Sequence, residues 1–200
     1  QTASVVALKN GMTMAKELEL VREIRTFSDI PLVGMGYINN MYHYGFEKFV
    51  EDFKDAGMDG VIIPDVPHEE SGDMRRIAAA HAFILAEFIT PGTTEARMKE
   101  ICQDASGFIY CVSNNGVTGV KKVDYSTIGT VCTKARSYTK TPLAVGFGIG
   151  SPEAAVEAAA HADAVIVGSA VVKQLLAGKL DEAAQLIADM RTALDKRYCD

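Results

Sequence analysis

The sequence lacks several features that would point to particular classes of protein. Its 200 residues hold no basic tract, and the net charge of −6 argues against a general nucleic-acid surface. No apolar stretch approaches the length of a membrane span. No linker or low-complexity segment divides the chain, so we predict a single domain over residues 1–200.

Cysteine is scarce and forms no recognisable site. There is no CxxC pair and no histidine at metal-ligand spacing, so we expect no metal site. A free cysteine is often a small core residue, which predicts buried, reduced thiols in a cytoplasmic compartment. The four cysteines are Cys102, Cys111, Cys132 and Cys199.

What the chain does contain is a regular alternation of short apolar runs with amphipathic helical patterns. The runs are rich in Val and Ile on both faces, as buried parallel strands are. Two helical segments, 2–10 and 14–26, come first. Alternating strands and helices form a parallel sheet, and the regular unit lengths and strand-end residues favour a (β/α)8 TIM barrel over an open sheet. The six predicted strands are 30–37, 60–65, 83–90, 107–113, 142–148 and 163–169.

Glycine is concentrated after the last three of these strands, at 116–119, 146–150 and 168–169. Glycine lets backbone N–H groups approach an anion closely, and a helix N-terminus adds partial positive charge. One such glycine alone more often only makes a turn. Three at successive strand ends favour a phosphate site, completed by a short helix at 170–176.

Two carboxylates lie where a bare charge would be costly. Asp65 ends the second strand, where it is either functional or hydrogen-bonded to neighbouring backbone. Glu87 lies within the third strand, so an ion pair or another structural role is favoured over catalysis. For the histidines we expect surface or capping roles, since no Ser or Cys nucleophile is arranged with them. The histidines are His43, His68, His81 and His161.

The segments VIIPDVPHEES, GFIYCVSNNGVTG, GFGIGSPE and VGSAVVK, in this order and spacing, resemble the α subunit of tryptophan synthase. The resemblance runs over essentially the whole chain. It implies a (β/α)8 TIM barrel of which the chain covers about six βα units, strands 3–8, with the first two strands missing. The single domain 1–200 then lacks its N-terminal portion.

The resemblance also implies an activity. The family cleaves indole-3-glycerol phosphate to indole and glyceraldehyde 3-phosphate, a retro-aldol lyase step of tryptophan biosynthesis that needs no cofactor. The implied partner is a β subunit that carries pyridoxal phosphate in an α2β2 heterotetramer.

Site residues follow from the resemblance position by position. The implied phosphate-binding residues are Gly119, Gly148, Gly168 and Ser169. The implied substrate-binding residues are Tyr37, Asp65, Tyr110, Thr118 and Phe147. Tyr37, Asp65 and the nearby Asn39 fall in loops that the family uses near the site and the partner interface.

Two departures from the family pattern matter. An Arg of the family's mobile loop is replaced by Asn114. The family's acid/base Glu and its indole-binding Asp would precede Gln1, so we expect no catalytic residue in this chain. The alternative is therefore a non-catalytic, truncated remnant that binds glycerol phosphate and a β subunit. Another phosphate-binding barrel would share the Gly-Ser turn but not the PDVP and GVTG spacing.

Overall fold

The computed structural model describes residues 2–112 and 125–198, which form parallel strands alternating with helices. The chain divides into two compact units, Gln1–Glu87 and Phe88–Asp200. The α/β class with parallel strands is confirmed, whereas the two missing strands of the barrel stay a prediction.

The first unit holds the early helices and the first strands. Its elements are α1 (Thr2–Lys9), α2 (Met14–Arg25), β1 (Val33–Met35), α3 (Ile38–Tyr44), α4 (Phe46–Asp55), β2 (Gly60–Ile62), a 3₁₀ turn (His68–Glu70), α5 (Gly72–Ala80) and the start of β3 (Ile84–Ile89).

The second unit follows the same alternation. Its elements are α6 (Glu95–Asp104), β4 (Ile109–Val112), α7 (Ser126–Ala135), β5 (Leu143–Gly146), α8 (Pro152–Ala159), β6 (Ala164–Ile166), α9 (Ser169–Leu176) and α10 (Leu180–Tyr198).

In each unit the strands pair in parallel, and each unit has its own core. In the first, Val33 of β1 pairs with Gly60 of β2, which also pairs with Ile84 of β3. The apolar face of α4 is buried in this core, with the Phe49 and Phe53 rings 4.6 Å apart. Burial of such aromatic side chains is a major source of folding free energy.

In the second unit, β5 lies between β4 and β6. Ile109 pairs with Leu143, and Gly146 pairs with Ile166. The fully buried Ile128 of α7 packs in the same core. The strands are parallel, so their carboxyl ends meet at one edge, where loops carry function in α/β proteins.

The structure corrects three predictions. Helix α3 was not predicted, because the segment INNMYHY has no capping side chain and little helical pattern. The predicted strands are shorter than expected. β1 and β6 are only partly buried, although all six strands were expected to be buried, and within the described residues each pairs with one neighbour.

Other predictions are confirmed. Cys102, Cys111 and Cys132 are buried free thiols, and Cys199 lies outside the described residues. A short helix, α9, does start at the Gly168-Ser169 turn and ends before Gly178, which has a positive φ of 71°. Among the described helices, none is both long and apolar enough to cross a membrane.

Candidate functional site

The strand register in the second unit places two predicted phosphate-binding glycines at one edge. Gly146 of β5 lies opposite Ile166 of β6. Gly148 and Gly168 each come two residues after that pair, just beyond the carboxyl ends of adjacent strands. Val112, at the end of β4, pairs with Gly146 and therefore lies at the same edge.

The start of α9 offers uncapped backbone donors. Gly168 is the N-cap residue and makes no side-chain capping bond, and the first helical residue, Ser169, is exposed. A Cβ built on Gly168 would meet no atom within 4 Å, so the turn borders open space. At α8, by contrast, the Ser151 side chain accepts a hydrogen bond from the N–H of Ala154. The first N–H groups of a helix have no partner within it, and together with the helix dipole they make the α9 terminus suited to an anion.

Two residues after β5 adopt a left-handed backbone. The φ angles are +83° at Phe147 and +77° at Gly148. A bulky side chain rarely occupies this region, and such strain is concentrated at functional sites. The Phe147 ring is 49% exposed, so the side chain is presented at the strand end rather than buried in the core.

Tyr110 of β4 lies between two aromatic rings. Its ring centroid is 5.2 Å from that of Phe88 in a stacked geometry, and 6.3 Å from that of Phe147 in an edge-on geometry. Burial raises the pKa of the Tyr110 phenol, which is therefore neutral at physiological pH. A Cβ on Gly146 would overlap the Tyr110 hydroxyl, so glycine there leaves space for the tyrosine.

The structure thus brings Tyr110 and Phe147 together and adds Phe88, while the substrate-lining role of Tyr110 and Phe147 stays a prediction. The sequence analysis missed Phe88, although its position next to Glu87 and Ile89 on alternating faces of β3 could have suggested it. Thr118, Gly119 and Asn114 lie outside the described residues.

In the first unit, Asp65 lies beyond the end of β2 and is exposed. Its Oδ1 accepts a hydrogen bond of 3.1 Å from the N–H of Ile38, the first residue of α3. Asp65 is therefore hydrogen-bonded to backbone, as one of the two interpretations expected, while its functional role stays a prediction. Tyr37, the N-cap of α3, is 61% exposed at the end of the β1 loop, and Asn39 lies within α3.

The same unit contains a buried polar network formed by Glu87, His68 and Arg75. Glu87 Oε1 lies 3.0 Å from His68 Nδ1 and 3.5 Å from Arg75 Nη1, which confirms the ion-pair role expected for Glu87. The surface or capping role expected for His68 is wrong, because its side chain is buried in contact with a carboxylate contributed by β3, 19 residues along the chain.

Within residues 2–112 and 125–198, one group of three potential metal ligands comes together. It comprises Glu47, Glu51 and His81, whose ligand atoms lie within 4.8 Å of one another. Both carboxylates are exposed on α4, four residues apart, and Glu51 pairs with His81 at 3.9 Å. The helical spacing and this pairing account for the arrangement without an ion.

Comparison with known proteins gives a consistent family. The family model for the tryptophan synthase alpha chain matches residues 1–197. The tryptophan synthase alpha chain of Caldanaerobacter subterraneus subsp. tengcongensis is 37% identical over 97% of this chain and 76% of its own length. That of Desulfatibacillum aliphaticivorans is 43% identical over 85% of this chain and 64% of its own length.

Solved structures agree. The tryptophan synthase alpha chain of Legionella pneumophila subsp. pneumophila superposes with a TM-score of 0.84 at 31% identity, covering 97% of this chain and 74% of its own. A chain of the tryptophan synthase a2b2 complex of Pyrococcus furiosus gives a TM-score of 0.84 at 29% identity, covering 93% and 77%. With a family match over nearly its entire length, this chain belongs to the tryptophan synthase alpha chain family.

Proposed function

We propose that the protein cleaves indole-3-glycerol phosphate to indole and glyceraldehyde 3-phosphate. Its relatives are tryptophan synthase alpha chains, which are lyases. The observation that carries the proposal is the pair of adjacent strand ends in the second unit. There an uncapped helix terminus at Gly168 and Ser169 lies beside the left-handed Phe147–Gly148 turn. These matches do not favour the non-catalytic remnant.

The roles of the residues follow from their chemistry. The backbone N–H groups after Gly168, together with the Ser169 hydroxyl, would hold the substrate phosphate near the turn at Gly148, with Gly119 as a further contact. Tyr110 and Phe147 offer aromatic surfaces for the indole ring. This binding supplies orientation, which lowers the barrier by reducing the entropy lost in the reaction. In this proposal Thr118, Tyr37 and Asp65 complete the contacts to substrate.

Cleavage also requires proton transfer. The bond between indole C3 and the glycerol side chain breaks, a proton is added at C3, and a proton leaves the glycerol hydroxyl, which becomes the aldehyde. A positioned carboxyl group speeds such a step by about 10²–10⁴-fold. In this proposal the residues named above contribute binding and orientation.

The wider setting is proposed by analogy. Related chains occur in tryptophan synthase a2b2 complexes, so we propose a β-subunit partner in an α2β2 heterotetramer. Pyridoxal phosphate would belong to that partner, and this chain would use no cofactor or metal. The side chains of Cys102, Cys111 and Cys132 are free thiols, which supports a proposed cytoplasmic location.

The phosphate site is tested by calorimetric titration with glycerol 3-phosphate. We expect Ser169→Ala to weaken binding about three- to tenfold, the effect of one hydrogen bond. The matched control is Ser151→Ala at the start of α8, which removes a helix cap and costs about 1 kcal/mol of stability. Its affinity should stay at the wild-type value. Equal affinity in both variants would remove Ser169 from the site.

The reaction itself is tested by indole release from indole-3-glycerol phosphate, using the protein together with its proposed β subunit. If indole release falls in Phe147→Ala while the circular dichroism spectrum stays that of the wild type, the result supports the proposal. Phosphate binding without indole release would instead support the non-catalytic alternative. Absence of both would contradict the proposed function.

A further inference from the structure

A buried polar network joins the middle of β3 to the turn after β2. The residues Glu87 and His68 are 6% and 7% exposed, and Arg75 of α5 reaches the Glu87 carboxylate. Glu87 shares its face of β3 with Leu85 and Ile89, which pack in apolar cores. A leucine would fill this position without the cost of removing a charge from water. The polar contacts are therefore what distinguishes glutamate here.

These contacts hold His68 at two points. Its ring Nδ1 lies 3.0 Å from Glu87 Oε1. Its main-chain carbonyl accepts a hydrogen bond of 2.7 Å from Arg75 Nη1 and one of 2.9 Å from Ser71 Oγ. The ring of His68 is thus bound to β3, and its carbonyl is bound to α5 and the N-cap residue of α5.

The residues before His68 form a stiff turn. The segment 63–67 connects β2 to the 3₁₀ turn and includes Pro64, Asp65, Val66 and Pro67. Proline restricts φ to about −65°, and Pro67 has φ −64° and ψ 149°. Because the turn contains two prolines, the position of His68 limits where Asp65 can lie.

Asp65 in turn holds the start of α3. Its carboxylate accepts the Ile38 N–H at 3.1 Å, whereas the N-cap residue Tyr37 provides no side-chain cap. Asp65 thus does what an N-cap side chain normally does, but it comes from a neighbouring strand-end loop. Tyr37 and Asn39 lie on either side of the capped residue.

We propose that Glu87 is a positioning residue. Through His68 it fixes the turn that carries Asp65, and through Asp65 it fixes the start of α3 with Tyr37 and Asn39. The consequence for activity rests on the proposed function, in which Tyr37 and Asp65 contact the substrate. The structural consequence is independent of it.

Hydrogen exchange at single amides tests the structural consequence. In Glu87→Leu, protection of the Ile38 amide should fall about tenfold relative to the Phe49 amide, which bonds Gly45 within the core helix α4. Glu87→Gln keeps an acceptor for His68 and removes the ion pair with Arg75. It should give a smaller selective loss, and it serves as the test if Glu87→Leu does not fold.

The matched control is Leu85→Ala, two residues earlier on the same face of β3 and also buried. It destabilises the core without touching the network, so Ile38 and Phe49 should lose protection together. Unchanged relative protection of Ile38 in the Glu87 variants would overturn the proposal. So would the same selective loss in Leu85→Ala.

Kinetics of the enzyme together with its proposed β subunit test the functional consequence. Glu87→Leu should raise KM for indole-3-glycerol phosphate several-fold with little change in kcat. Asp65→Ala should do the same, and the double variant should lose no more than either alone, because the two act in one chain of contacts. Additive losses would contradict this. If the wild-type enzyme released no indole, the proposed function would fail, while amide exchange would still decide the positioning role.

Discussion

Phe147 and Gly148 show how much a single backbone conformation can specify. Both have φ near +80°, directly after β5 and at the edge where Gly168 also lies. Glycine adopts this conformation freely, whereas a residue with a Cβ is strained by about 1–2 kcal/mol. The strain at Phe147 is compensated by the rest of the fold, and it sets the ring beside Tyr110.

Gly148→Ala should therefore lower the free energy of unfolding by about 1 kcal/mol, because alanine is strained at positive φ. It should also weaken glycerol 3-phosphate binding, since the turn must shift. Gly150→Ala is the control. Gly150 lies in the same loop, its φ is not in the left-handed region, and an added Cβ would meet nothing within 4 Å. Urea denaturation and calorimetry of both variants check this, and equal effects would contradict it.

At the scale of elements, both units have an Arg–Asp ion pair where two strands begin. Arg25, ending α2, pairs with Asp59 at 2.8 Å, and Asp59 accepts the Leu32 N–H at 2.7 Å just before β1. In the second unit Arg136, after α7, pairs with Asp163, which accepts the Leu143 N–H at 2.7 Å. Each aspartate immediately precedes one strand and accepts a hydrogen bond from the N–H at or just before the start of the neighbouring strand. This combination of ion pair and hydrogen bond, here called the clamp, therefore sets the register of the two strands. It lies at the amino ends of the strands, away from the candidate site.

Asp163→Asn should destabilise the protein by about 0.5–1 kcal/mol at neutral pH, because the amide lacks the charge that pairs with Arg136 and the ion pair is partly exposed. Burial would raise the pKa of Asp163, but Arg136 and the Leu143 N–H together hold it below its ordinary value of 3.8. The stabilisation should be complete above pH 3.8 and should disappear as pH falls through the lowered pKa. Urea denaturation from pH 7 downward measures it.

Asp29→Asn provides the control for that series, because Asp29 is an exposed loop carboxylate. Its stability should follow the wild-type curve at every pH. A difference between wild type and Asp163→Asn that persists below the lowered pKa would show that the clamp does not depend on the charge.

At the scale of the whole molecule, each unit has its own buried core. The prediction of a single domain remains a proposal, and it requires that both cores melt in one transition. The buried thiols report on the second core. The hydrogen bond that the Cys111 thiol donates to Cys132, together with burial, raises the pKa of Cys111, so this native thiol is unreactive.

Phe53→Ala, in the first core, should cost about 3–5 kcal/mol. If the chain is one cooperative domain, the urea concentration at which Cys111 and Cys132 become labelled should fall by the corresponding amount. Val5→Ala, at a position 49% exposed on α1, should leave it unchanged. Labelling that is unaffected by Phe53→Ala would mean that the units unfold separately.

The site was predictable where it depends on local chemistry. Gly168-Ser169 at a helix start could be read from the change of pattern, and Gly148 from the glycine run after an apolar strand. Phe88 was missed because its contact with Tyr110 joins residues from different strands. Helix α3 was missed because its start is capped by Asp65, 27 residues away.

The sequence by itself determined the class of the fold, the ends of helices such as α8, and the family. Strand and helix periodicities, the Ser151 cap and the order of motifs are all local or collinear signals. Only the tertiary structure decided that His68 is buried against Glu87 and that Asp65 caps a helix it does not belong to. These contacts depend on which side chains the parallel strands bring side by side. The periodicity of one segment does not indicate which other segments pack beside it.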